Sequence, residues 1–356
     1  MKIRRITAIV LCIFTVLSLF SCTRKSEIGS TPDNRKEQGE KESDGKYNFL
    51  VLGHDRAANL TDVMMIVSFD TKEKTVALLQ LPRDTYFEAE DYSYHKINGL
   101  YNYFISEAKE DDSNDPELEG CVRTAAYLSD NLDIKIHYSA VMDLDGFGAI
   151  VDAIGGVYMY VPYSMHYSDP AQNLYINLNE GYCTLDGDAA EQFVRFRSGY
   201  VEADLARQDA QKMFMTAFVE NVKKNISISN VDDIAKAVLG SVKTDMKLTD
   251  IVKFGTALLS TDLGKITMMS LPGESAFSDG AWYFVMNRAA VTGLMDKYFN
   301  MFEKPVTDET FDKDRVFCNE GDPDMNEVYE KPAEECETVE HNAQDMSDKD
   351  IDIALK

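Results

Sequence analysis

Residues 47–81 read YNFLVLGHDRAANLTDVMMIVSFDTKEKTVALLQL and contain three apolar runs separated by short polar segments. The runs from Tyr47 to Gly53, Val63 to Phe69 and Thr75 to Leu81 have the length and composition of strands, and residues 70–74 are typical of a hairpin turn. The ALLQL segment shows little polar alternation, which indicates burial on both faces of a sheet. We therefore predict a sheet that is covered by helices on both sides.

The rest of the chain mixes helical and strand patterns. Helices are predicted at residues 97–109, 119–131, 146–154, 188–192, 204–223, 230–261 (as one or two) and 287–299. Further strands are predicted at residues 137–143, 157–161, 193–197 and 265–271. No interior linker or repeat interrupts this pattern, so residues 46–304 are predicted to form one α/β domain.

The charge balance restricts the class of partner. The 356-residue chain has a formal net charge of −25, which argues against nucleic acid as a partner. Residues 306–356 hold 17 acidic and five basic residues, which gives −12, about half of the net charge. Because this segment also lacks hydrophobic periodicity, we predict that residues 305–356 are an acidic, disordered tail.

The first residues have the pattern of an export signal. Three basic side chains within the first five positions precede an apolar run over residues 6–20, which is shorter than the roughly 20 residues of a membrane span. The sequence LFSC at residues 19–22 resembles a lipoprotein cleavage box. Two alternatives remain, lipidation of Cys22 or retention as a signal anchor, and both tether an extracytoplasmic domain to a membrane. Residues 1–22 are thus a signal or anchor, and residues 23–45 a flexible polar stalk.

The other cysteines leave their redox state open. Cys121, Cys183, Cys318 and Cys336 lack CxxC spacing, and disulfides and free thiols are equally compatible with the sequence. A Cys318–Cys336 pair would close a loop in the tail. The five histidines are scattered and form no HExxH pattern, which argues against a zinc site.

Basic side chains are concentrated in one short segment. If residues 193–197 are extended, Arg195 and Arg197 share a face of the strand. If the next helix begins near Asp204, then Asp204, Arg207 and Gln211 share one face of that helix. Guanidinium groups match the geometry of phosphate oxygens. The cluster suits a pyrophosphate or polyanionic sugar, although pairing with surface carboxylates is an alternative of equal weight.

Further polar groups follow the ends of apolar strands, where ligands bind in open α/β sheets. Asp55 follows the first strand, Asp62 begins the second, and Arg83 with Asp84 follows the third. Two carboxylates that flank a loop suit Mg²⁺, although Asp62 is also typical of a turn or cap. Lys96 precedes a helix, where it either contacts a phosphate or faces solvent.

Several reaction classes lack a motif. The chain has no GxSxG, no GxxxxGK[ST] and no GxGxxG sequence, so acyl transfer and nucleotide binding have no positive support. Phosphoryl chemistry on an anionic substrate at a membrane is still compatible with the sequence. Such reactions depend on positioning and charge stabilisation rather than on a special nucleophile, so they need none of these motifs.

Taken together and in order, the motifs resemble those of the LytR-CpsA-Psr family over about residues 46–300. They are LGHD at 52–55, TDVMM at 61–65, LPRDT at 81–85, KIN at 96–98, DGF at 145–147, DAIGGV at 152–157, QFVRFR at 192–197 and DLAR at 204–207. The resemblance implies a central mixed β-sheet flanked by helices, with an apolar tunnel and a basic mouth. It also implies an extracytoplasmic, membrane-anchored phosphotransferase that moves an anionic glycopolymer, such as teichoic acid or capsule, from a polyprenyl pyrophosphate carrier to peptidoglycan.

The same resemblance assigns roles to residues of this sequence. It implies that Asp55 and Asp62 coordinate Mg²⁺ and that both act in catalysis with Arg83. The pyrophosphate-binding residues that it implies are Arg83, Lys96, Arg195, Arg197, Arg207 and Gln211. Asp84 and Asp204 are expected to orient arginines rather than to react.

Two positions depart from the family pattern. Leu60 and Ala210 stand where the family often has arginine, so fewer positive charges line the predicted site. Two alternative functions are therefore retained. One is a non-catalytic protein that binds polyprenyl lipid or wall polymer, and the other is a lipid pyrophosphatase that uses water as acceptor.

Overall fold

The computed structural model describes residues 42–55, 59–89, 92–170, 174–196, 203–227, 229–312, 316–336 and 340–342, all within one compact unit, Asp33–Lys356. For residues 203–212 it describes the backbone alone. The predicted targeting segment and most of the predicted stalk lie outside these residues. Within them, no helix has the length and apolarity needed to cross a membrane.

In the described part of the chain, three strands come first and the α-helices follow. The strands are β1 (Lys46–Asp55), β2 (Leu60–Asp70), β3 (Thr75–Gln80), β4 (Tyr138–Met142), β5 (Val157–Val161), β6 (Met165–Asp169), β7 (Leu174–Leu178), β8 (Gly181–Leu185), β9 (Lys243–Thr244), β10 (Ile266–Ser270), β11 (Gly273–Ser278), β12 (Ala281–Met286) and β13 (Glu340–Asn342). The helices are α1 (Leu100–Glu110), α2 (Pro116–Asn131), α3 (Leu144–Ala153), α4 (Gly187–Arg195), α5 (Ala203–Asn225), α6 (Val231–Ser241), α7 (Leu248–Leu258), α8 (Arg288–Leu294), α9 (Asp308–Asp312) and α10 (Pro323–Glu330).

A mixed sheet forms the centre, with the strand order β13-β10-β3-β2-β1-β4-β9 among the described residues. The strands β1, β2 and β3 form an antiparallel meander, and the β2–β3 turn closes where Asp70 pairs with Thr75. The pairs β1–β4 and β3–β10 are parallel, which gives the sheet its mixed character. The three strands and the hairpin predicted in residues 47–81 are therefore confirmed.

Helices cover both faces of the sheet, which confirms the prediction made from the continuous apolar runs in the sequence. The residues packed on the first face, with α1 and α2, include Leu50, Leu52, Met64, Ile66, Tyr101, Phe104 and Leu128. Those packed on the second face, with α5 and α7, include Phe69, Val76, Leu78, Met268, Val219 and Phe254. Consecutive residues of β3 thus enter different cores, which explains why its sequence lacks polar alternation.

The predicted strand at residues 193–197 is wrong, because Arg195 is the last residue of helix α4. Asp186 caps the start of this helix by accepting a hydrogen bond from a backbone N–H. Ala190 and Phe193, three residues apart, are both fully buried and form its core-facing stripe. Arg197 lies outside the described residues, so its predicted place beside Arg195 is not tested.

The predicted disorder of the acidic tail is also wrong for its described part, and the folded part does not end at residue 304. Helices α9 and α10 and strand β13 belong to this segment. Phe317, Met325 and Tyr329 are 2%, 0% and 0% exposed and belong to the main core. A high content of acidic residues does not prevent folding, because a few apolar side chains suffice to attach the segment to an existing core.

Cys121 and Cys183 are free thiols and form no disulfide, so the free-thiol alternative is confirmed for these two residues. Burial raises the pKa of the Cys121 thiol to about 12, so this group stays protonated near neutral pH. Cys318 and Cys336 are both buried in the folded part of the tail.

Two glycines allow α3 and α4 to approach closely. A Cβ atom placed on Gly187 would lie 2.5 Å from the backbone oxygen of Gly148. We expect Gly187→Ala to lower the free energy of unfolding by about 1–3 kcal/mol, the usual cost of overpacking. Chemical denaturation measures this change. Gly293→Ala in α8 is the matched control, because a Cβ atom there meets nothing within 4 Å; an equal loss in both variants would contradict the packing explanation.

Candidate active site

A cavity of about 690 Å³ lies between the second face of the sheet and helices α3, α4 and α5. Its apolar walls include Met65, Val67, Leu78 and Met268 from the sheet, and Phe147, Ile150, Phe214 and Phe218 from the helices. Asp55, Asp62 and Arg195 line the same cavity and supply charged groups to it. The cavity thus combines long apolar walls with a small set of charged side chains, which suits an amphiphilic ligand.

A β-bulge brings the two aspartates of the predicted metal site into this cavity. Gly53 pairs with Val63 and His54 pairs with Thr61, which leaves Asp62 as an extra residue in β2. Asp62 and its neighbour Val63 therefore both line the cavity, although alternation would place them on opposite faces. Asp55, the last residue of β1, reaches the same cavity.

Arg83 lies between Asp62, one of the two aspartates of the predicted metal site, and a further carboxylate, Asp84. Its Nη1 atom lies 3.0 Å from Oδ1 of Asp62, and its Nε atom lies 3.5 Å from Oδ2 of Asp84. Asp84 also binds Lys96, with 2.7 Å between Oδ1 and Nζ. Asp84 therefore holds two cations side by side, in agreement with its expected orienting role. The Arg83 side chain keeps 33% exposure, which leaves part of it accessible to a ligand.

Backbone hydrogen bonds fix the two segments that carry Arg83 and Lys96. The N–H of Ile97 donates to the carbonyl of Thr85 at 2.9 Å. The Tyr92 hydroxyl donates to the carbonyl of Lys96. Burial raises the pKa of Tyr92, so its hydroxyl remains a donor at physiological pH. These contacts hold both cations in place before any ligand binds.

Arg195 comes from the other side of the cavity, at the C-terminal end of α4. Its Nη1 atom lies 2.6 Å from Oε1 of Glu191, one helical turn earlier. This pair orients the guanidinium group but also offsets part of its charge. The structure thus brings Arg195 into the same cavity as Asp55 and Asp62, as the sequence predicted, although from a helix rather than from a strand.

Two predicted residues have a known backbone position only. Arg207 and Gln211 lie in the first half of α5, so the predicted helix is confirmed, but their side chains are outside the described part of the structure. His54 and Asp143 also line the cavity. The sequence analysis placed His54 in a polar cluster with Asp55 but assigned it no role, and it missed Asp143. A signal existed for Asp143, because it directly follows β4, which is parallel to β1 and therefore ends at the same edge.

The pair of aspartates fits a magnesium ion in its donor chemistry. Among the described residues, no group of three or more His, Cys, Asp or Glu side chains is arranged to hold a metal. Mg²⁺ is commonly bound by one or two carboxylates, with waters and substrate phosphates completing its octahedral shell. Asp55 and Asp62 fit that pattern because they face one cavity at the end where Arg83 contacts Asp62.

Comparisons with known proteins identify a family and relatives of this chain. The model of the LytR_cpsA_psr family matches residues 13–299. The polyisoprenyl-teichoic acid–peptidoglycan teichoic acid transferase TagU of Oceanobacillus iheyensis is 29% identical over 266 residues, which cover 72% of this chain and 77% of that protein. TagV of Bacillus subtilis, with the same transferase description, is 26% identical over 230 residues, which cover 63% of this chain and 55% of that protein.

The fold has solved counterparts. The crystal structure of Bacillus subtilis TagV superposes with a TM-score of 0.56 at 23% identity, covering 71% of this chain and 95% of that one. Identity at this level supports the fold alone. It agrees with the central mixed sheet and flanking helices that the motifs implied.

Proposed function

Because this chain belongs to the LytR-CpsA-Psr family, we propose that it transfers an anionic glycopolymer, of the teichoic acid or capsule kind, from a polyprenyl pyrophosphate carrier to peptidoglycan. The observation that carries the proposal is the cavity, in which apolar walls lead to Asp55, Asp62 and Arg195. Two relatives that carry the name of such a transferase support it.

The two parts of the cavity match the two parts of the proposed donor. An isoprenoid chain gains about 0.8 kcal/mol for each CH₂ group that it buries, so the apolar walls supply affinity. The pyrophosphate of this donor is esterified by the lipid at one end and the glycan at the other, so it is a dianion. Arg83, Lys96 and Arg195 offer forked or point-charge donors to its oxygens. The lipid would thus set the depth of binding, and the cations would set the position of phosphorus.

In the proposed reaction a sugar hydroxyl of peptidoglycan attacks the phosphorus next to the glycopolymer, and polyprenyl phosphate leaves. Arg83 stabilises the negative charge that develops on the phosphoryl oxygens, and Asp84 holds its guanidinium group in position. Lys96, fixed by the same carboxylate, adds a second positive charge. No nucleophilic side chain is required, because the acceptor supplies the nucleophile.

Asp55 and Asp62 would hold a Mg²⁺ ion in this site. When bound, the ion neutralises pyrophosphate oxygens and makes the phosphate a better leaving group. Arg83 contacts Asp62 at 3.0 Å, so it limits the directions from which that carboxylate accepts a ligand. The metal is part of the proposal and rests on the donor set described above.

We place the folded domain on the extracytoplasmic side of a membrane. The basic and apolar residues at the start of the chain support a tether, either a lipidated Cys22 or a signal anchor. A tethered domain can accept a lipid-linked donor directly from the bilayer. Peptidoglycan, the proposed acceptor, lies on the same side.

The apolar walls lead to a prediction about lipid binding. Ile150→Trp adds a bulky ring to the cavity, and we expect at least tenfold weaker binding of a polyprenyl phosphate probe, measured by titration in detergent. Ile251→Trp in α7 is the control, because Ile251 does not line the cavity. Equal affinities of the two variants would show that the lipid binds elsewhere.

The transfer itself is tested with the full-length protein, a synthetic polyprenyl-pyrophosphate glycan and peptidoglycan oligomers. We expect a linked product that requires a divalent cation. Tight donor binding without product would identify a binding protein instead, and release of glycan without linkage would identify a lipid pyrophosphatase.

A further inference from the structure

A second, smaller cavity adjoins the large one. It has a volume of about 320 Å³ and lies where the parallel strands β1 and β4 end. His54, Met142 and Asp143 line both cavities and form the wall between them. In open α/β sheets this edge is where ligands bind. The larger cavity, called the donor cavity below, is proposed to bind the polyprenyl pyrophosphate donor. No ligand has yet been proposed for the smaller one.

The charges of the smaller cavity differ from those around Arg83. Glu117, Asp143 and Asp145 line it with carboxylates. The cation in its wall, Lys243, is paired with the carboxylate of Asp115, with 2.8 Å between Nζ and Oδ2. A phosphate-rich polymer would be repelled by this wall. A neutral ligand with many hydroxyl groups would find hydrogen-bond acceptors instead.

Backbone packing makes the wall rigid. The N–H of Gly146 donates to Oδ1 of Asp143 at 2.8 Å, which fixes that carboxylate at the start of α3. A Cβ atom on Gly146 would lie 2.2 Å from the carbonyl oxygen of Ser241, so α3 and the end of α6 are in close contact there. His54 packs edge-on against Tyr101, with ring centroids 5.1 Å apart. The shape of the cavity is therefore set before a ligand arrives.

We propose that this second cavity, called the acceptor cavity below, binds the sugar chain that receives the glycopolymer. The inference rests on the proposed transfer reaction and adds to it the place of the second substrate. A hydroxyl held beside His54 and Asp143 lies next to the donor cavity, because both residues line the two cavities. Its oxygen forms the new bond to phosphorus, the bond to the bridging oxygen breaks, and that oxygen leaves with polyprenyl phosphate. The hydroxyl proton passes to solvent.

Ala149 gives a direct test. It lies exposed on α3 and lines the acceptor cavity but not the donor cavity, so a larger side chain there fills the space at little cost to folding. In Ala149→Trp we expect the KM for peptidoglycan oligomer to rise at least tenfold, with donor KM and kcat at saturating acceptor unchanged. Ser106→Trp is the matched control, because Ser106 is exposed on α1 and lines neither cavity.

Charge is tested separately with Glu117→Gln, which keeps the shape of the side chain and removes a strong acceptor. We expect acceptor affinity to fall severalfold in this variant. Unchanged acceptor KM in both Ala149→Trp and Glu117→Gln would overturn the proposal.

A binding measurement separates failure of this proposal from failure of the proposed function. Peptidoglycan oligomer is titrated into the full-length protein without donor. Suppose that the wild type binds oligomer but transfers nothing, and that Ala149→Trp no longer binds oligomer. The acceptor cavity is then supported and the proposed transferase activity is not. If the wild type transfers glycan and Ala149→Trp binds oligomer normally, the cavity assignment is wrong and the transferase stands.

Discussion

Alanine in place of Arg83 is expected to lower glycopolymer transfer by about 100- to 1,000-fold, the usual cost of removing one donor that stabilises developing charge. Arg83 contacts both Asp62 and Asp84, so its loss removes a positive charge between the two carboxylates. Because the side chain is 33% exposed and its pairs are open to solvent, we expect little change in stability. Initial rates with a synthetic donor and thermal unfolding measure the two effects.

Arg123→Ala is the matched control for this prediction. Arg123 has a similarly exposed side chain and contacts Asp111 and Glu119 at 2.8 and 3.0 Å. Neither of these carboxylates lines a cavity, whereas Asp62, which contacts Arg83, lines the large one. We expect its removal to leave transfer unchanged. Arg83→Lys should give an intermediate rate, because it keeps the charge and loses the planar fork. Full activity in Arg83→Ala would remove this residue from the mechanism.

Removal of residues 305–356 is expected to prevent stable folding, despite the acidic character of this segment. It contributes Val306, Phe311, Phe317, Met325 and Tyr329 to the main core, each at most 4% exposed. At about 1.5–3 kcal/mol for each buried side chain, their loss approaches the 5–15 kcal/mol that stabilises a typical domain. Expression of the shortened chain followed by thermal unfolding measures the effect.

A chain ending at Asn342 is the control, because it keeps all the contacts described for the tail. We expect it to unfold like the full-length protein. A cooperative transition at the same temperature in the chain cut at 304 would contradict the role of the tail. Phe317→Ala, which keeps the whole chain, should cost about 3–5 kcal/mol if the packing is as described.

The tail also supports the segment that carries Arg83. The N–H of Glu88 donates to the carbonyl of Val316 at 2.7 Å, and the rings of Phe87 and Phe317 meet edge-on at 5.1 Å. These contacts lie four to five residues after Arg83 in the sequence. The matched family model ends at residue 299, so this support comes from a part of the chain beyond the shared family region.

The central strands were predictable because their signal is strong and local. Residues 47–81 contain three apolar runs and one clear turn, and the structure has β1, β2 and β3 there. The strand predicted at Arg195 failed because the alternation of apolar and basic residues from Val194 to Arg197 fits a strand over four residues. A longer window containing the cap at Asp186 and the buried Ala190 fits a helix instead.

The tail was misjudged for a different reason. Its apolar residues have no period, because they pack from short helices and loops against a core formed by other segments. The charged residues of such a segment lie on its solvent-exposed side. Their number does not show which apolar side chains of the segment pack against the core. Burial of Phe317 against Phe87 depends on residues 230 positions apart, which a local pattern does not contain.

For the site, residue types were more predictable than geometry. The sequence identified Asp55, Asp62, Arg83, Lys96 and Arg195, and the structure brings the first two and Arg195 to one cavity and links Arg83 to Asp62. The β-bulge that turns Asp62 toward the cavity depends on the pairing of β1 with β2, and the acceptor cavity depends on the packing of α3 and α6. Neither has a local signature in the sequence.

The most direct test of the proposed transfer identifies both products of one reaction. Full-length protein is incubated with a polyprenyl-pyrophosphate glycan, peptidoglycan oligomer and Mg²⁺, and the products are identified by mass spectrometry. We expect glycan joined to the oligomer through one phosphate, together with an equal amount of polyprenyl monophosphate. Polyprenyl pyrophosphate as the released lipid, or monophosphate without linked oligomer, would contradict the proposed attack on the phosphorus next to the glycopolymer.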